Sequence, residues 1–536
     1  MILIKRSQFI LSVAILLFFF NQCTVPEKLD DKKPNVVFII VDDLNDYEGA
    51  FGGHQLAKTP NIDKLASSGV IFINAHSNRP VCAPSRNSLF TGVYPFESKD
   101  FGWTALKDQP VLKNNKTIME LFAENGYHVM GSGKLLHHHR KDVWHEWGVN
   151  INNYGPLAFN GTEPVGHPSV PEPFRNIGPI DGSFAPLSDV PVFHDSISKG
   201  NKTGWLYTRN KPGFLEYTDD NNRDLMPDEM HAQWAAKRIK EMEAGGSDQP
   251  FFMGVGFVRP HTPLYAPKKY FDMFPLDEID LSEIKKGDAE DTHYKNLYPA
   301  TTKGLRYYRT LKESYGGDAE PGLKHFLQAY LACVAFVDEQ IGIVVDAVNN
   351  SEFKDNTIIV LVADHGWQMG EKEYLFKNSP WEESTRIPYI IKSPESKTGE
   401  MVTHPVSLID IYPTLTDLCN IKGDNRKNEE GGSIGGFSLK PFLKKPETKK
   451  WEGPNGALSV ISSESGDKDV MKQTYSYRTE NWRYIRYSDG SEELYHNKTD
   501  AYEWNNLADD KDYQKKKSKL KSEMLEIIKK HNQDYE

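Results

Sequence analysis

The chain has 536 residues, 38% hydrophobic, 26% charged and 12% aromatic, a folding composition that excludes a disordered, collagenous or coiled-coil protein. A formal net charge of −11 excludes the generally basic surface that holds duplex nucleic acid, but not a local cationic pocket. Four cysteines are too few for a disulfide scaffold, and 40 Gly with 32 Pro favour turns and long loops over a helical bundle.

Lys5 and Arg6 precede an apolar run, Phe9 to Phe20, which is short for a membrane span and the right length for a signal-peptide core. Cys23 follows at once, ahead of the polar stretch Thr24 to Lys33, an order similar to a bacterial lipoprotein signal. Residues 1–23 are expected to direct export, with Cys23 the candidate lipid anchor and residues 24–33 a linker. The destination is then the periplasm, or the outer-membrane or cell surface. Asn21 and Gln22 are not the small residues usual before a lipidated cysteine, so ordinary cleavage nearby is the alternative.

From there short apolar strands alternate with helical stretches. Val36 to Val41 reads as a buried strand that ends at Asp42-Asp43. Thr59-Pro60-Asn61-Ile62-Asp63 predicts a capped helix start with Leu65 and Ala66 facing inward. Ser85 to Leu89 and Ile118 to Glu124 read as helices, the second closed by Asn125-Gly126 before a strand over Tyr127 to Gly131. Asn150 to Lys211 is rich in Gly and Pro and weakly periodic, predicting long loops near a site. Helices are expected over Met230 to Glu243, Leu323 to Val348 and Leu408 to Leu418, and buried strands over Phe251 to Val258 and Thr357 to Val362. This βαβ rhythm predicts a mostly parallel sheet with helices on both faces, spanning residues 34–452. Beyond about Gly453 strands at Tyr475 to Tyr477 and Trp482 to Tyr487, a turn at Asp489-Gly490 and a charged helix from about Tyr513 predict a smaller α+β subdomain over 453–536.

Several polar residues sit where these strands end. Two adjacent carboxylates after a strand are most often a cap or a turn, and Asp364-His365-Gly366 after Thr357 to Val362 reads the same way. Two acidic strand ends in a parallel sheet nevertheless share its carboxyl edge, where ligands bind. Together Asp42, Asp43 and Asp364 supply a hard oxygen set suited to Ca²⁺ or Mg²⁺. Cys82 taken alone reads as a buried hydrophobe. Its place just before a helix turns it toward orphan N–H groups suited to an oxyanion, and Arg86 adds a forked cation. The His137-His138-His139 run is not a zinc site, since consecutive residues rarely converge on one ion. Cys333 and Cys419 read as buried thiols on helices, with pairing left open.

The run Cys82-Ala83-Pro84-Ser85-Arg86, followed by Leu89-Phe90-Thr91-Gly92, resembles the signature of type I sulfatases, in which the cysteine is oxidised to Cα-formylglycine. Val93 departs from the Arg that many members carry there. Asn35 to Leu44, Gly133-Lys134-Leu135-Leu136-His137, Arg259-Pro260-His261-Thr262-Pro263, Asp364-His365-Gly366 with Lys377, and Glu493-Leu494-Tyr495 with Trp504 to Leu507 extend the resemblance over most of the mature chain. They are most similar to the iduronate-2-sulfatase-like branch, which also has His at the position of His365.

The resemblance implies an alkaline-phosphatase-like α/β/α sandwich with a smaller C-terminal α+β subdomain. It also implies one Ca²⁺ per site on Asp42, Asp43, Cys82, Asp364 and His365. The catalytic residues it implies are modified Cys82, Arg86, Lys134, His137, His261 and Lys377. One hydroxyl of the formylglycine gem-diol attacks sulfur, the other expels sulfate from the sulfo-enzyme intermediate, and His261 protonates the leaving sugar oxygen. A local basic funnel is expected from Arg86, Lys134, Arg259, Lys377 and the turn from His137 to Arg140. Trp103, Trp144, Trp147, Tyr154 and Trp205 either stack on sugar rings or belong to the core. The partners implied are a sulfated oligo- or polysaccharide, with ulvan-type algal glycan favoured, and a formylglycine-generating or anaerobic maturation enzyme. The alternatives are a glycosaminoglycan iduronate or uronate 2-O-sulfatase, a phosphoesterase of the same fold, and a sulfated-glycan-binding lipoprotein with a relic site.

Overall fold

The computed structural model describes residues 32–532 apart from 152, 208–212, 282–283 and 463–465, so the export signal and Cys23 lie outside the described residues. Eight strands form the central sheet: β1 (Asn35–Val41), β2 (Val70–Phe72), β3 (His128–Gly133), β4 (Glu146–Trp147), β5 (Phe251–Phe257), β6 (Thr357–Ala363), β7 (Tyr389–Lys392) and β8 (Glu400–Val402). Their spatial order is β8-β2-β7-β6-β1-β5-β3-β4, and only β7 runs against its neighbours. Every residue of β1, β5 and β6 is buried, which is why these strands read as unbroken apolar runs rather than alternating ones.

The main helices are α1 (Pro60–Ser67), α2 (Cys82–Thr91), α3 (Ile118–Glu124), α4 (Pro227–Gly245), α5 (Ala319–Asn349), α6 (Ile411–Leu418) and α7 (Gln514–His531). On one side of the sheet Phe38 meets Phe90 of α2 at 5.6 Å, and Phe252 meets Phe122 of α3 at 5.0 Å between ring centroids. Helices α4 and α5 pack together, with α1 against α5. None of the helices among the described residues is long and apolar enough to cross a membrane.

Local chemistry explains α3, where Thr117 and Glu120 form a reciprocal capping box. It does not explain the start of α1. The Thr59 side chain makes no cap there; instead the Asp338 carboxylate of α5 accepts from the N–H groups of Asn61 and Ile62 at 3.1 and 2.8 Å. The cap is tertiary. The helix expected over Leu408 to Leu418 starts as a 3₁₀ turn, Leu408–Asp410, and becomes α-helical at Ile411. The helix expected from Ser85 already begins at Cys82, which therefore sits inside its first turn rather than before it. In the Gly/Pro-rich stretch short strands appear, among them Leu157–Phe159 and Gly204–Leu206, which pair antiparallel.

Strands β9 (Gly456–Ile461), β10 (Thr474–Thr479), β11 (Arg483–Arg486) and β12 (Glu492–Tyr495) form an antiparallel sheet in sequence order. Its apolar face meets Leu520, Met524 and Ile528 of α7 in a second core that also takes in Tyr94, Phe96 and Ile409. Buried ion pairs tie it to the larger unit: Arg478 to Glu382 at 3.0 Å and Arg483 to Glu382, with Glu503 of the subdomain itself also on Arg483. The three cysteines among the described residues are free, so Cys333 and Cys419 do not pair. Both are buried, Cys333 in α5 beside the Tyr265 carbonyl and Cys419 after α6.

Candidate active site

Four adjacent strands deliver the site from one edge. In the sheet Val41 lies opposite Phe257 and Ala363, so Asp42 and Asp364 leave β1 and β6 side by side. The chain after β5 carries His261, and the chain after β3 carries Lys134. Lys134 comes close because Gly133 at the end of β3 and Gly256 next to the end of β5 carry no side chain. A Cβ on Gly133 would lie 1.9 Å from the Gly256 carbonyl oxygen, and one on Gly256 would lie 2.3 Å from the Lys134 backbone. Asp43 adopts a left-handed conformation, φ 60°, and its carbonyl accepts from the Tyr330 hydroxyl at 2.8 Å.

Helix α2 brings its first residue, Cys82, into this cluster, 1% exposed. Lys377 Nζ lies 3.0 Å from its Sγ and 2.7 Å from Asp43 Oδ1; His365 Nε2 lies 3.3 Å from the same sulfur. Lys134 Nζ is paired with Asp42 Oδ2 and sits 4.7 Å from the centroid of the Tyr154 ring. His261 is fixed by the Thr262 carbonyl at its Nδ1, 2.6 Å, and turns Nε2 toward Asp43 Oδ2 at 3.7 Å. The half-buried His137 reaches Cys82 with its ring and is held below its ordinary pKa, chiefly by burial. The cluster thus unites Asp42, Asp43, Cys82, Arg86, Lys134, His137, His261, Asp364, His365 and Lys377.

Arg86 does not face the opening. Its guanidinium is fully buried, with Nε 2.8 Å from Asp364 Oδ2, Nη2 3.0 Å from Asp42 Oδ1, and Nη1 on the carbonyls of Lys134 and Leu135. It joins the acidic strand ends to the loop that carries Lys134. Ser85 adds a hydrogen bond of 2.6 Å to the Asp364 carbonyl. Arg259, expected in a basic funnel, is buried; Nε and Nη2 donate to the carbonyls of Tyr265 and Gly155, and Nη1 is buried without a hydrogen-bond partner. Trp205 and Trp144 are core residues, whereas Trp103 is 48% exposed and its ring lies 4.9 Å from that of His137. Tyr154, left open between a sugar-stacking and a core role and carried by the loop expected near a site, lies between Lys134 and His261 as a wall of the site.

Electrostatics follow from burial among opposite charges. Burial and Cys82 push Asp42 upward, but Lys134, His261 and Arg86 outweigh them and hold it far below the usual carboxylate range. Burial pushes Asp364 up to about 6 against the pull of Arg86 and His365. Burial opposes a charge on His365, yet Asp364 and Cys82 raise it to about 9. The Cys82 thiol is lowered well below its ordinary value despite burial, because Lys134, Lys377 and His365 surround it. The position is built to hold negative charge.

The donor set also fits a divalent cation. Ligand atoms of Asp42, Cys82, Asp364 and His365 all lie within 4.8 Å of one another, and Asp43 Oδ2 is buried without a hydrogen-bond partner. Three carboxylates favour a hard ion.

The sulfatase family pattern matches residues 34–421, and a pattern described as N-sulphoglucosamine sulphohydrolase, C-terminal, matches residues 370–530. A sulfatase of Formosa agariphila is 32% identical over 91% of this chain and 86% of its own length. Mouse iduronate 2-sulfatase is 30% identical over 67% of this chain and 59% of its own, and an ulvan-active sulfatase of Formosa agariphila 27% identical over 90% and 79%. The fold is that of the phosphonate monoester hydrolase of Agrobacterium radiobacter, with a TM-score of 0.67 at 21% identity over 93% of this chain and 96% of that one. With a family match across most of the chain and the acidic strand ends converging on Cys82, the chain belongs to the sulfatase family and is a sulfuric ester hydrolase.

Proposed function

We propose that the protein removes sulfate from ulvan-type algal polysaccharide or its oligosaccharides, with formylglycine at position 82 and one Ca²⁺ on Asp42, Asp43, Asp364, His365 and residue 82. The observation that carries the reading is Cys82 at the head of α2, 3.0 Å from Lys377 Nζ and 3.3 Å from His365 Nε2. The ulvan-active relative, similar over most of both chains, supports the substrate class. The iduronate 2-sulfatase relative supports a second reading, a uronate 2-O-sulfatase of glycosaminoglycans. The leader with its apolar run and Cys23 supports export and a lipid anchor.

Once formed by a maturation enzyme, the hydrated aldehyde supplies one hydroxyl to attack sulfur and a second to expel sulfate, and the cation supplies positive charge beside them. The chain's own groups do the rest. Three carboxylates face Arg86, Lys134 and Lys377, so the site is near neutral in itself and a divalent ion leaves a net positive charge for an anionic sulfate ester. Lys134 and Lys377 bind sulfate oxygens. Arg86 acts through the carboxylates and is a positioning residue. His137 accepts a proton at position 82. His261, oriented through Nδ1, offers Nε2 to the departing sugar oxygen.

Elemental analysis of the active protein is expected to find one calcium per chain, and chelation to remove it together with activity; two zinc ions and no calcium would transfer the assignment to a phosphoesterase. The proton-donor role gives a sharper test. His261→Ala should lower sulfate release from an ulvan oligosaccharide by about 10²–10⁴-fold, while hydrolysis of an activated aryl sulfate falls far less, because only the sugar alcohol needs protonation to leave. Equal losses on both would make His261 a sulfate-positioning group. Faster wild-type turnover of a heparin-type uronate 2-sulfate than of ulvan would favour the second reading.

A further inference from the structure

Beside the nucleophile lies a cavity of about 520 Å³ whose walls include Arg79, Phe101, Trp103, Lys303, Arg306 and Phe376. It adjoins the site through the chain neighbours of Cys82 and Lys377. Val81, which precedes Cys82, and Phe376, which precedes Lys377, line it, and these segments are joined by the Asn378 N–H on the Pro80 carbonyl at 3.0 Å.

Arg79 at its base is 3% exposed. One arm of its guanidinium meets the Asn378 side-chain oxygen, another the Phe101 carbonyl at 2.9 Å, and Nε is buried with no hydrogen-bond partner. Among the described residues Arg79 has no ion pair, unlike the buried Arg86, Arg478 and Arg483. The nearby Asp100 makes no ion pair with Arg79 among the described residues: its Oδ2 accepts from the Asn87 amide at 2.8 Å, and burial pushes it up to about 6. A buried guanidinium whose direct partners are neutral oxygens, with no carboxylate in contact, gains from an anion that arrives at its open Nε. Lys303, which also faces Asp181 at 3.9 Å, Lys468 and the exposed Arg306 outnumber the single lining carboxylate, Asp467, and exposed Trp103 offers an apolar plate beside His137.

We infer that this cavity binds a second anionic group of the glycan, a carboxylate or a further sulfate, with Arg79 as its charged floor and Trp103 under the sugar ring. Resting on the reading above, this deepens it: the preferred substrate carries two negative groups, one cleaved at position 82 and one held at Arg79.

The test compares kcat/KM on matched probes. One pair is a monosulfated hexuronate glycoside and its carboxyl methyl ester; the other is a neutral hexoside with one sulfate and with two; an aryl sulfate serves as reference. The wild-type protein should prefer the doubly charged member of one pair by about tenfold or more, mainly through KM. The pair that shows the preference identifies carboxylate or sulfate. Arg79→Gln should collapse that preference toward unity, and Arg79→Lys should restore part of it. Should Arg79→Gln fail to fold, Arg306→Gln, on an exposed residue, should reduce the same preference several-fold. Brisk turnover of the aryl sulfate with no preference within either pair would overturn the inference and leave the sulfatase reading standing. No turnover of any probe by formylglycine-bearing protein would overturn both.

Discussion

Cys82→Ala should leave a folded protein whose sulfate release is lower by about 10⁴-fold or more, the loss seen when a nucleophile that works as part of a unit is removed. The surrounding charges say why no neighbour substitutes. Lys377, His365 and Lys134 act together on the atom at position 82 strongly enough to hold a buried thiol well below its ordinary pKa. The neighbours have other work: Asp42 and Asp364 pair with Arg86 and Lys134, Asp43 gives Oδ1 to Lys377 and leaves Oδ2 for the cation, and Ser85 donates to the Asp364 carbonyl. Expression without a maturation enzyme should reproduce the loss, with mass spectrometry of the Cys82 peptide reporting an unmodified thiol. Stability should change little, since alanine fits the first turn of α2 and Lys377 keeps Asp43 as partner at 2.7 Å. An alanine variant with full activity would end the mechanism.

Arg86→Ala should destabilise the protein by about 3–5 kcal/mol, the range for removing one partner of a buried ion pair. Here one guanidinium serves two carboxylates, Asp42 and Asp364, and two carbonyls, with every group inaccessible to water. Its loss leaves like charges together on adjacent strand ends. Set against a total stability of about 5–15 kcal/mol, the change is large and should appear as a marked fall in the thermal unfolding midpoint of the calcium-loaded protein at fixed scan rate. Arg86→Lys keeps the charge but cannot span both carboxylates, so it should recover only part. If Arg86→Ala unfolds like the wild type and loses activity alone, Arg86 binds sulfate directly, as its place in the Cys82 motif first implied.

The strands that build the site were legible because they are buried on both faces. Val36 to Val41 and Thr357 to Val362 meet apolar side chains whichever way they point, and that uniform environment is written as an unbroken apolar run. The start of α3 was legible because its cap is made by residues three apart, Thr117 and Glu120. Cys82 was legible because Pro84, Ser85 and Arg86 lie within its own helix. Strand β2, three residues long, carries too little pattern to be read, and β9 was missed because its Gly, Ala and Ser blur the apolar signal.

What only tertiary structure decided were the partners. The α1 cap comes from Asp338, 277 residues away from Asn61; Arg86 was expected at the substrate and instead holds Asp42 and Asp364; Arg259 was expected in a basic funnel and is buried, and Trp205, left open between sugar and core, belongs to the core. Arg79 stands two residues before Val81 and looks like any loop cation until its empty Nε and missing carboxylate are seen. The physical reason is common to all of them. Periodicity and motif record the environment that a stretch of chain experiences along its own length. The charge, hydrogen bond or dry cavity that fixes a side chain's role comes from segments brought alongside by folding, and local sequence does not carry their identity.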